Sequence, residues 1–253
     1  MSFDDRIRQQ YTGEAGHRYH DREKERPPRF RKEHMGFGNP FAPIKETSEV
    51  SFPWIGRPRA RKIAPYVTDA SVVLEYGVGT GWNLSQLNCR RRIGYDLSEH
   101  LEPLLKRSGI EFVKTIDAVA DESIDAVICH HVLEHTAHPP ETLKEIWRPL
   151  REGGSLLLFV PHETGMGFRR FDPDDPNQHL YSWSVQSLGN LVTGLGYTVT
   201  TARVQRFGYD RFAAVWANRL RIGEWGFRLI RGMIHLIRPG SEVFILGVKP
   251  RSG

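Results

Sequence analysis

The sequence has few cysteines and lacks long apolar runs, and each of these shortages excludes a class of protein. Two of its 253 residues are cysteine. They show neither the spacing of a metal-binding pair nor the framework of pairs found in small secreted domains. No apolar run reaches the roughly 18 residues that span a bilayer. The first residues, MSFDDRIRQQ, are charged where a secretory signal would be apolar. We therefore expect a cytoplasmic protein.

The chain does contain enough apolar residues for a core, together with an excess of basic charge. Hydrophobic residues make up 39% of the sequence, and the formal net charge is +5 at pH 7. A chain of this size and composition fits one α/β domain with extensions better than two independent domains. The positive charge is compatible with nucleic acid, anionic lipid or an acidic substrate, because net charge governs association rather than fold.

The sequence pattern changes near residue 65. Residues 1–65 are rich in Arg, Lys, His, Pro and Gly and show little sustained periodicity, which predicts a basic N-terminal extension or lid. From Ser71, short apolar runs alternate with helical stretches, which predicts βαβ units and a parallel sheet within residues 66–253. One helix should begin after the N-cap residue Ser184 and end at Gly196. The seven predicted strands cover residues 72–76, 92–95, 111–113, 126–130, 155–160, 197–204 and 243–248.

A glycine-rich turn, EYGVGTG at residues 75–81, follows the first predicted strand. Glycines at alternate positions let the backbone turn sharply and approach a ligand where a Cβ would collide. Asp96 ends the next predicted strand about 20 residues later, where a carboxylate can bind both hydroxyls of a ribose. The pair predicts a nucleoside-bearing ligand. A dinucleotide is disfavoured, because the third glycine comes one residue too early and Trp82 takes the place of the last glycine.

Three motifs together resemble the small-molecule class I S-adenosylmethionine-dependent methyltransferases. They are E-x-G-x-G-x-G at 75–81, GYDLS at 94–98 and IDAVICHHVLEH at 124–135, in the order and spacing of that family. The resemblance implies an α/β, Rossmann-like, doubly wound sheet of seven strands, mostly parallel with the last strand antiparallel. An N-terminal extension and a helical insertion before the last strand would be added to this sheet. It also implies S-adenosylmethionine as the cofactor and S-adenosylhomocysteine as its product.

The same resemblance assigns residues to the cofactor. Those lining its methionine end would be Glu75, Gly77, Gly79 and Gly81. Asp96 would bind the ribose, Leu97 would lie against the adenine, and Asp117 is the nearest match to the acidic residue that reaches the adenine amino group. His130, at the end of the fourth strand, would face the methionine portion or the methyl acceptor.

Histidines and carboxylates collect after the predicted strands, where open parallel sheets bind ligands. Methyl transfer from a sulfonium mainly requires alignment of donor and acceptor, and a base is needed only when the acceptor must lose a proton. The candidates for that base are His130 and His179, whereas Glu134 and His135 better fit capping or packing. We expect no catalytic metal, because the histidines lack H-E-x-x-H spacing and no cysteine pair joins them.

A basic stretch at residues 209–238 separates the last two predicted strands. Arg228, Arg231, His235 and Arg238 recur there at helical spacing, and most of the remainder of that helix is apolar. Residues 225–238 could rest at a membrane interface, at the inner face of the membrane, which would suit a lipid-linked acceptor. The pattern alone favours a lid or a contact between two copies of the chain, because buried helices share it.

The sequence thus predicts methyl transfer to a small-molecule or a lipid- or saccharide-linked acceptor, first of all at oxygen, with carbon and nitrogen left open. Three alternatives remain. A nucleic-acid methyltransferase is favoured by the arginine-rich N-terminus, but Cys129-His130-His131 stands where such enzymes carry Pro-Cys or Asp/Asn-Pro-Pro-aromatic. A cofactor-binding interaction module without catalysis is the second alternative. An NAD-dependent reductase is the third and is disfavoured by Trp82.

Overall fold

A seven-stranded sheet forms the centre of the molecule. The computed structural model describes residues 47–163, 171, 178–237 and 240–252, as well as residues 5, 9 and 12. All seven predicted strands are present, although β5 begins at Leu150, before the predicted start at residue 155. The strands are β1 (Val72–Tyr76), β2 (Arg91–Tyr95), β3 (Glu111–Val113), β4 (Ile124–His130), β5 (Leu150–Pro161), β6 (Thr198–Arg206) and β7 (Ser241–Val248).

The strand order is β3-β2-β1-β4-β5-β7-β6. Strands β1 to β5 pair in parallel, and β7 runs antiparallel to both β5 and β6. This topology confirms the predicted Rossmann-like sheet with an antiparallel last strand. From β1 the chain adds β2 and β3 on one side of the sheet and then returns to add β4 on the other side of β1. Open α/β sheets bind ligands at such a switch point, outside the carboxyl ends of the strands.

Helices cover both faces of this sheet. They are α1 (Thr47–Ile63), α2 (Glu102–Arg107), α3 (Pro139–Trp147), α4 (Val185–Gly194), α5 (Asp210–Arg219) and α6 (Gly223–Ile237). Neighbouring strand residues point to opposite faces, so Leu74 packs on the side of α3 and α4, while Val73 packs on the side of α1 and α2. Helix α4 begins as predicted, since the Ser184 side chain accepts a hydrogen bond from the backbone of Ser187.

Helix α1 lies inside the segment that we expected to be an extension. Its residues Ile55, Ala60 and Ile63 are buried, and the last two belong to the apolar cluster on one face of the sheet. The periodicity was hard to see, because Pro53 and Pro58 lie within the helix and basic residues separate its apolar positions. This part of residues 1–65 therefore packs with the α/β domain. Residues 1–46 lie almost entirely outside the described part, so an extension there stays a prediction.

The insertion before the last strand forms the two helices α5 and α6. The basic residues that recur at helical spacing do not form one continuous exposed surface. Arg231 binds the buried Asp210, and His235 is itself buried, because this side of α6 packs against the domain. Arg238 lies outside the described residues. None of the helices that the structure describes is long and apolar enough to span a membrane.

Candidate active site

The glycine-rich loop leaves β1 at the switch point of the sheet. Gly77, Gly79 and Gly81 all have positive φ angles, of +75°, +50° and +81°. A Cβ on Gly77 would lie 2.2 Å from a methyl group of Val132, and one on Gly81 would lie 2.7 Å from Cδ1 of Ile110. A Cβ on Gly79 would meet no protein atom within 4 Å. The fold therefore requires glycine at the outer two positions, whereas Gly79 borders open space.

Asp96 lies directly against this loop, as the sequence motifs indicated. Its Oδ2 atom accepts a hydrogen bond of 2.9 Å from the backbone N–H of Gly79. Its Oδ1 atom accepts one of 2.9 Å from the backbone N–H of Ser98. These bonds fix the carboxylate at the carboxyl end of β2, and the next residue, Leu97, is half-buried beside it.

Glu75 carries a buried oxygen atom with no hydrogen-bond partner among the described residues. Its Oε1 atom accepts a hydrogen bond of 2.5 Å from Asn83, whereas Oε2 has no partner. Burial raises the pKa of this carboxyl to about 8, against an opposing effect of the Asn83 hydrogen bond. Buried polar atoms are normally satisfied, so the free oxygen fits a cationic group of a ligand.

Asp117 lies on the turn Ile116–Ala118 that follows β3. Its side chain is 86% exposed and lies 3.9 Å from a guanidinium nitrogen of Arg148. Nothing in this position tests the predicted contact with adenine, which stays a prediction.

Four elements bring polar side chains together beyond the end of β4. Lys62 from α1 lies with its Nζ atom 2.7 Å from Nε2 of His130 and donates to Oε1 of Glu242 at 2.7 Å. Gln205 from β6 donates to the same oxygen at 2.7 Å, and Nε2 of His131 lies 3.2 Å from Oε2 of Glu242. Because β7 is antiparallel, its first residues meet the carboxyl ends of the parallel strands, which puts Glu242 opposite Pro161 of β5.

Burial sets the charges of this cluster. It lowers the pKa of Lys62 to about 8, although the charge of Glu242 and the hydrogen bond to it act in the opposite direction. Burial and the nearby Lys62 charge hold the pKa of His130 well below its ordinary value, so this imidazole is neutral. Although burial alone would raise the pKa of Glu242, its contacts with His130 and His131 and the Lys62 charge hold it far below its usual range. Below pH 8 the cluster therefore contains a carboxylate, an ammonium group that donates hydrogen bonds, and a neutral His130.

A pocket of about 200 Å³ opens beside Lys62. Buried Asp210 forms part of its wall and accepts hydrogen bonds from Arg59 at 3.4 Å and from Arg231 at 2.6 Å. The charged residues that line the pocket are Arg59, Lys62, Arg206, Asp210 and Arg231. Four cations and one anion line the pocket, and Glu242 adds a second negative charge next to Lys62, so the remaining excess of positive charge favours a ligand with negative charge.

His179 lies in a different cluster from His130. Its Nδ1 atom lies 2.5 Å from Oε1 of Glu163, and its ring is 4.8 Å from the ring of His135. The Glu134 carboxyl is buried beside them without a hydrogen-bond partner among the described residues, and burial raises its pKa to about 8. The structure therefore separates the two predicted bases.

Each of these two clusters brings three metal-ligand atoms within 4.8 Å of one another. In the first cluster, the ammonium group of Lys62 lies against both His130 and Glu242, where a metal cation would have to compete with it. The expectation of no catalytic metal stays a prediction.

Sequence reasoning missed Lys62 and Glu242. Lys62 ends the basic run GRPRARK, which has the composition of a solvated surface, and Glu242 directly precedes the apolar residues of the last predicted strand. A carboxylate directly before an apolar strand was the available signal, because a buried carboxylate requires partners.

Residues 49–202, more than half of the chain, match the family described as "Methyltransferase domain". The chain belongs to this family. It is a class I S-adenosylmethionine-dependent methyltransferase, which confirms the resemblance seen in the three motifs, and its cofactor is S-adenosylmethionine.

Two proteins are similar in sequence to this methyltransferase. One, from Mycolicibacterium smegmatis, is named "Probable S-adenosylmethionine-dependent methyltransferase" and is 28% identical over 134 residues, which are 50% of this chain and 52% of that protein. The other is an uncharacterized protein of Methanocaldococcus jannaschii, 32% identical over 90 residues, which are 34% of this chain and 43% of that protein. The chain thus matches about half of the length of these relatives.

A solved structure with the same fold comes from the complex between the Haloferax volcanii Trm112 methyltransferase activator and a methyltransferase. It superposes with a TM-score of 0.58 at 18% identity and covers 82% of this chain and 95% of its own. At this identity the likeness shows the fold alone.

The residues at the end of β1 and β2 fit S-adenosylmethionine. The open space at Gly79 allows a nucleoside close to the backbone, and the unpartnered oxygen of Glu75 suits the ammonium group of the methionine portion. Asp96, held by two backbone N–H groups, presents its carboxylate in the place where this fold binds a ribose.

Proposed function

We propose that this methyltransferase transfers a methyl group to a hydroxyl oxygen of an acceptor bound in the pocket beside Lys62. One observation carries the proposal: the Nζ atom of half-buried Lys62, which has a pKa of about 8, lines this pocket and lies 2.7 Å from His130 at the end of β4. The proposal thus places a nitrogen that titrates near neutral pH next to the strand that ends at the cofactor site.

When bound, S-adenosylmethionine supplies a methyl group on a positively charged sulfur. A hydroxyl acceptor must lose its proton as its oxygen attacks that carbon, and a base within reach accepts the proton. In our proposal the neutral amine of Lys62 is this base. Neutral His130 orients the amine by accepting a hydrogen bond through Nε2, and the ionised Glu242 stabilises the ammonium group that forms. The ring of Phe159, with its centroid 4.1 Å from Nζ, favours the same cation.

This proposal changes the role that the sequence suggested for His130. The imidazole contacts Lys62 and orients its amine, so we assign His130 a positioning role. His179, whose Nδ1 atom lies 2.5 Å from Oε1 of Glu163, stays a candidate base only for an acceptor that reaches these two residues.

We further propose an acceptor that carries negative charge close to its hydroxyl group. The arginines around the pocket support this choice, because Arg59, Arg206 and Arg231 outnumber the one acid in its wall, Asp210, even when Lys62 is neutral. Phosphorylated lipid- or saccharide-linked alcohols have this character, and so do small phosphorylated alcohols. Peripheral membrane contact through residues 225–238 would suit a lipid-linked acceptor.

The test uses S-adenosylmethionine labelled in its methyl group and an extract separated into soluble small molecules, polar lipids and nucleic acid. We expect label in one of the first two fractions, in an ether that survives mild alkali, whereas a methyl ester would be cleaved. Lys62→Met should remove the transfer, and Lys106→Met, at an exposed position of α2, should retain it. Label in nucleic acid alone would overturn the proposal, as would tight binding of S-adenosylhomocysteine with no labelled fraction.

A further inference from the structure

Helix α6 exposes an apolar stripe on its outer side. Trp225, Leu236 and Ile237 are 71%, 78% and 85% exposed, respectively, and Leu229 and Met233 are also exposed between them. Residues 225, 229, 233 and 236 follow helical spacing, so their side chains form one continuous stripe. Contiguous apolar surface of this kind marks an interaction site, in contrast to scattered single residues.

The polar side of the helix faces inward and holds this orientation. Arg231 binds the buried Asp210 at 2.6 Å, and the ring of buried His235 lies 5.4 Å from the ring of Tyr209. Phe227 is buried in a cluster with Ile55 of α1. Rotating α6 to bury its apolar stripe would break the ion pair and expose Phe227. The exposed stripe is therefore a consequence of the packing of the helix.

Basic side chains lie at the N-terminal end of the stripe. Arg219, the last residue of α5, and Arg221 in the following turn are exposed on either side of the apolar Leu220, and Arg228 extends this basic rim along the first turns of α6. Glu224, in the first turn of α6, is paired with Arg57 and Arg228. An anionic surface complements this arrangement, because the apolar stripe begins at a tryptophan and next to three exposed arginines. A second copy would bring the same basic rim against itself.

We propose that the outer face of α6, with the preceding turn 219–222, docks on the surface of a bilayer that contains anionic lipids. The helix lies in the plane of the interface, its apolar stripe among the lipid chains and its arginines on the headgroups. Arg231, on the opposite side of α6, lines the pocket next to Lys62. Docking therefore brings that pocket close to the bilayer surface. That the pocket would there receive an acceptor rests on the proposed function, whereas docking itself does not.

The test is flotation of the purified chain with vesicles of phosphatidylcholine alone or mixed with phosphatidylglycerol. We expect binding to the mixed vesicles that weakens as salt is raised. Leu236→Ser with Ile237→Ser should weaken it at least about tenfold, and Arg219→Gln with Arg221→Gln should reduce both the binding and its dependence on salt. Val204→Ser, a matched change at an exposed position of β6, should leave binding unchanged.

Two results would overturn docking on lipid. One is no flotation of the unmodified chain with the mixed vesicles at low salt. The other is a dimer that the double variant at Leu236 and Ile237 dissociates, which would assign the stripe to a second copy. Affinity for S-adenosylhomocysteine should be the same in all variants. Vesicle binding without methyl transfer would count against the proposed function alone, and methyl transfer without vesicle binding would count against docking alone.

Discussion

The Nζ atom of Lys62 lies 2.7 Å from Nε2 of His130, although 68 positions separate the two residues in the sequence. Lys62 comes from the end of α1 and His130 from the end of β4, and Glu242 of β7 binds the lysine from a third direction. The proposed acceptor side of the site is thus assembled from three elements that lie far apart in the sequence. The residues proposed to bind the cofactor come from one continuous stretch around β1 and β2.

Replacing Lys62 tests its role as a base. We expect Lys62→Met to lower the rate of methyl transfer by about 10² or more, and Lys62→Arg to be equally impaired because a guanidinium group does not deprotonate. In the unmodified chain the rate should rise as pH increases through about 8, because the neutral amine is the active form and burial lowers the Lys62 pKa to about that value. Labelled methyl transfer as a function of pH measures both effects. An arginine variant with full activity would contradict the assignment.

Replacing Glu75 tests the unpartnered carboxyl oxygen. Burial raises its pKa from 4.5 to about 8, so the folded chain holds this proton more tightly than the unfolded chain. Between these pH values the native state binds more protons, and the stability of the unmodified chain should fall as pH rises through the window. Glu75→Gln avoids this loss. The thermal midpoint of the variant minus that of the unmodified chain should therefore be several degrees larger at pH 9 than at pH 4.5.

The neutral amide that Glu75→Gln introduces cannot pair with an ammonium group as a carboxylate does, and we expect S-adenosylmethionine to bind about tenfold more weakly to this variant. Glu141→Gln, at an exposed position of α3, is the matched control and should change neither quantity. A difference in thermal midpoint between Glu75→Gln and the unmodified chain that does not depend on pH would refute the predicted shift.

Replacing Gly79 tests whether the open space beside the loop holds the cofactor. A Cβ there meets no protein atom within 4 Å, so Gly79→Ala should cost only about 1 kcal/mol of stability, from its positive φ angle. Its affinity for S-adenosylhomocysteine should fall at least about tenfold, because the methyl group enters the space where the backbone approaches the ligand. Calorimetry measures the affinity. Gly189→Ala in α4, also free of contacts, should bind like the unmodified chain; the same result for Gly79→Ala would rule out this cofactor position.

Replacing Asp210 tests the anchor between α1, α5 and α6. Its buried carboxylate pairs with Arg59 and Arg231, and Asp210→Asn leaves both guanidinium groups without that charge. We expect a loss of about 2 kcal/mol in the free energy of unfolding. The matched control is Asp121→Asn, because Asp121 also pairs with an arginine, Arg148, but is 70% exposed. Denaturant unfolding should show little change for the control, since exposed ion pairs stabilise weakly. Equal effects of the two variants would contradict the anchoring role.

The elements that sequence reasoning identified depend on local chemistry. The strand runs, the glycine-rich turn with its three positive φ angles and the Ser184 cap of α4 each follow from residues close together in the chain. Helix α1 was missed because its two prolines and interspersed basic residues conceal the few apolar positions that it buries. The orientation of α6 was also not predictable, because it depends on Asp210, which binds Arg231 across 21 positions and Arg59 across 151 positions.

The sequence by itself determined the class of sheet and the cofactor motifs, since hydrophobic period and backbone freedom are properties of short segments. Only the tertiary structure decided which charged groups are buried together. Lys62 has the sequence context of a solvated surface residue until β7, 180 positions away, brings Glu242 against it. The loss of water around the lysine is what lowers its pKa, although Glu242 opposes this change, and that loss exists only in the folded chain.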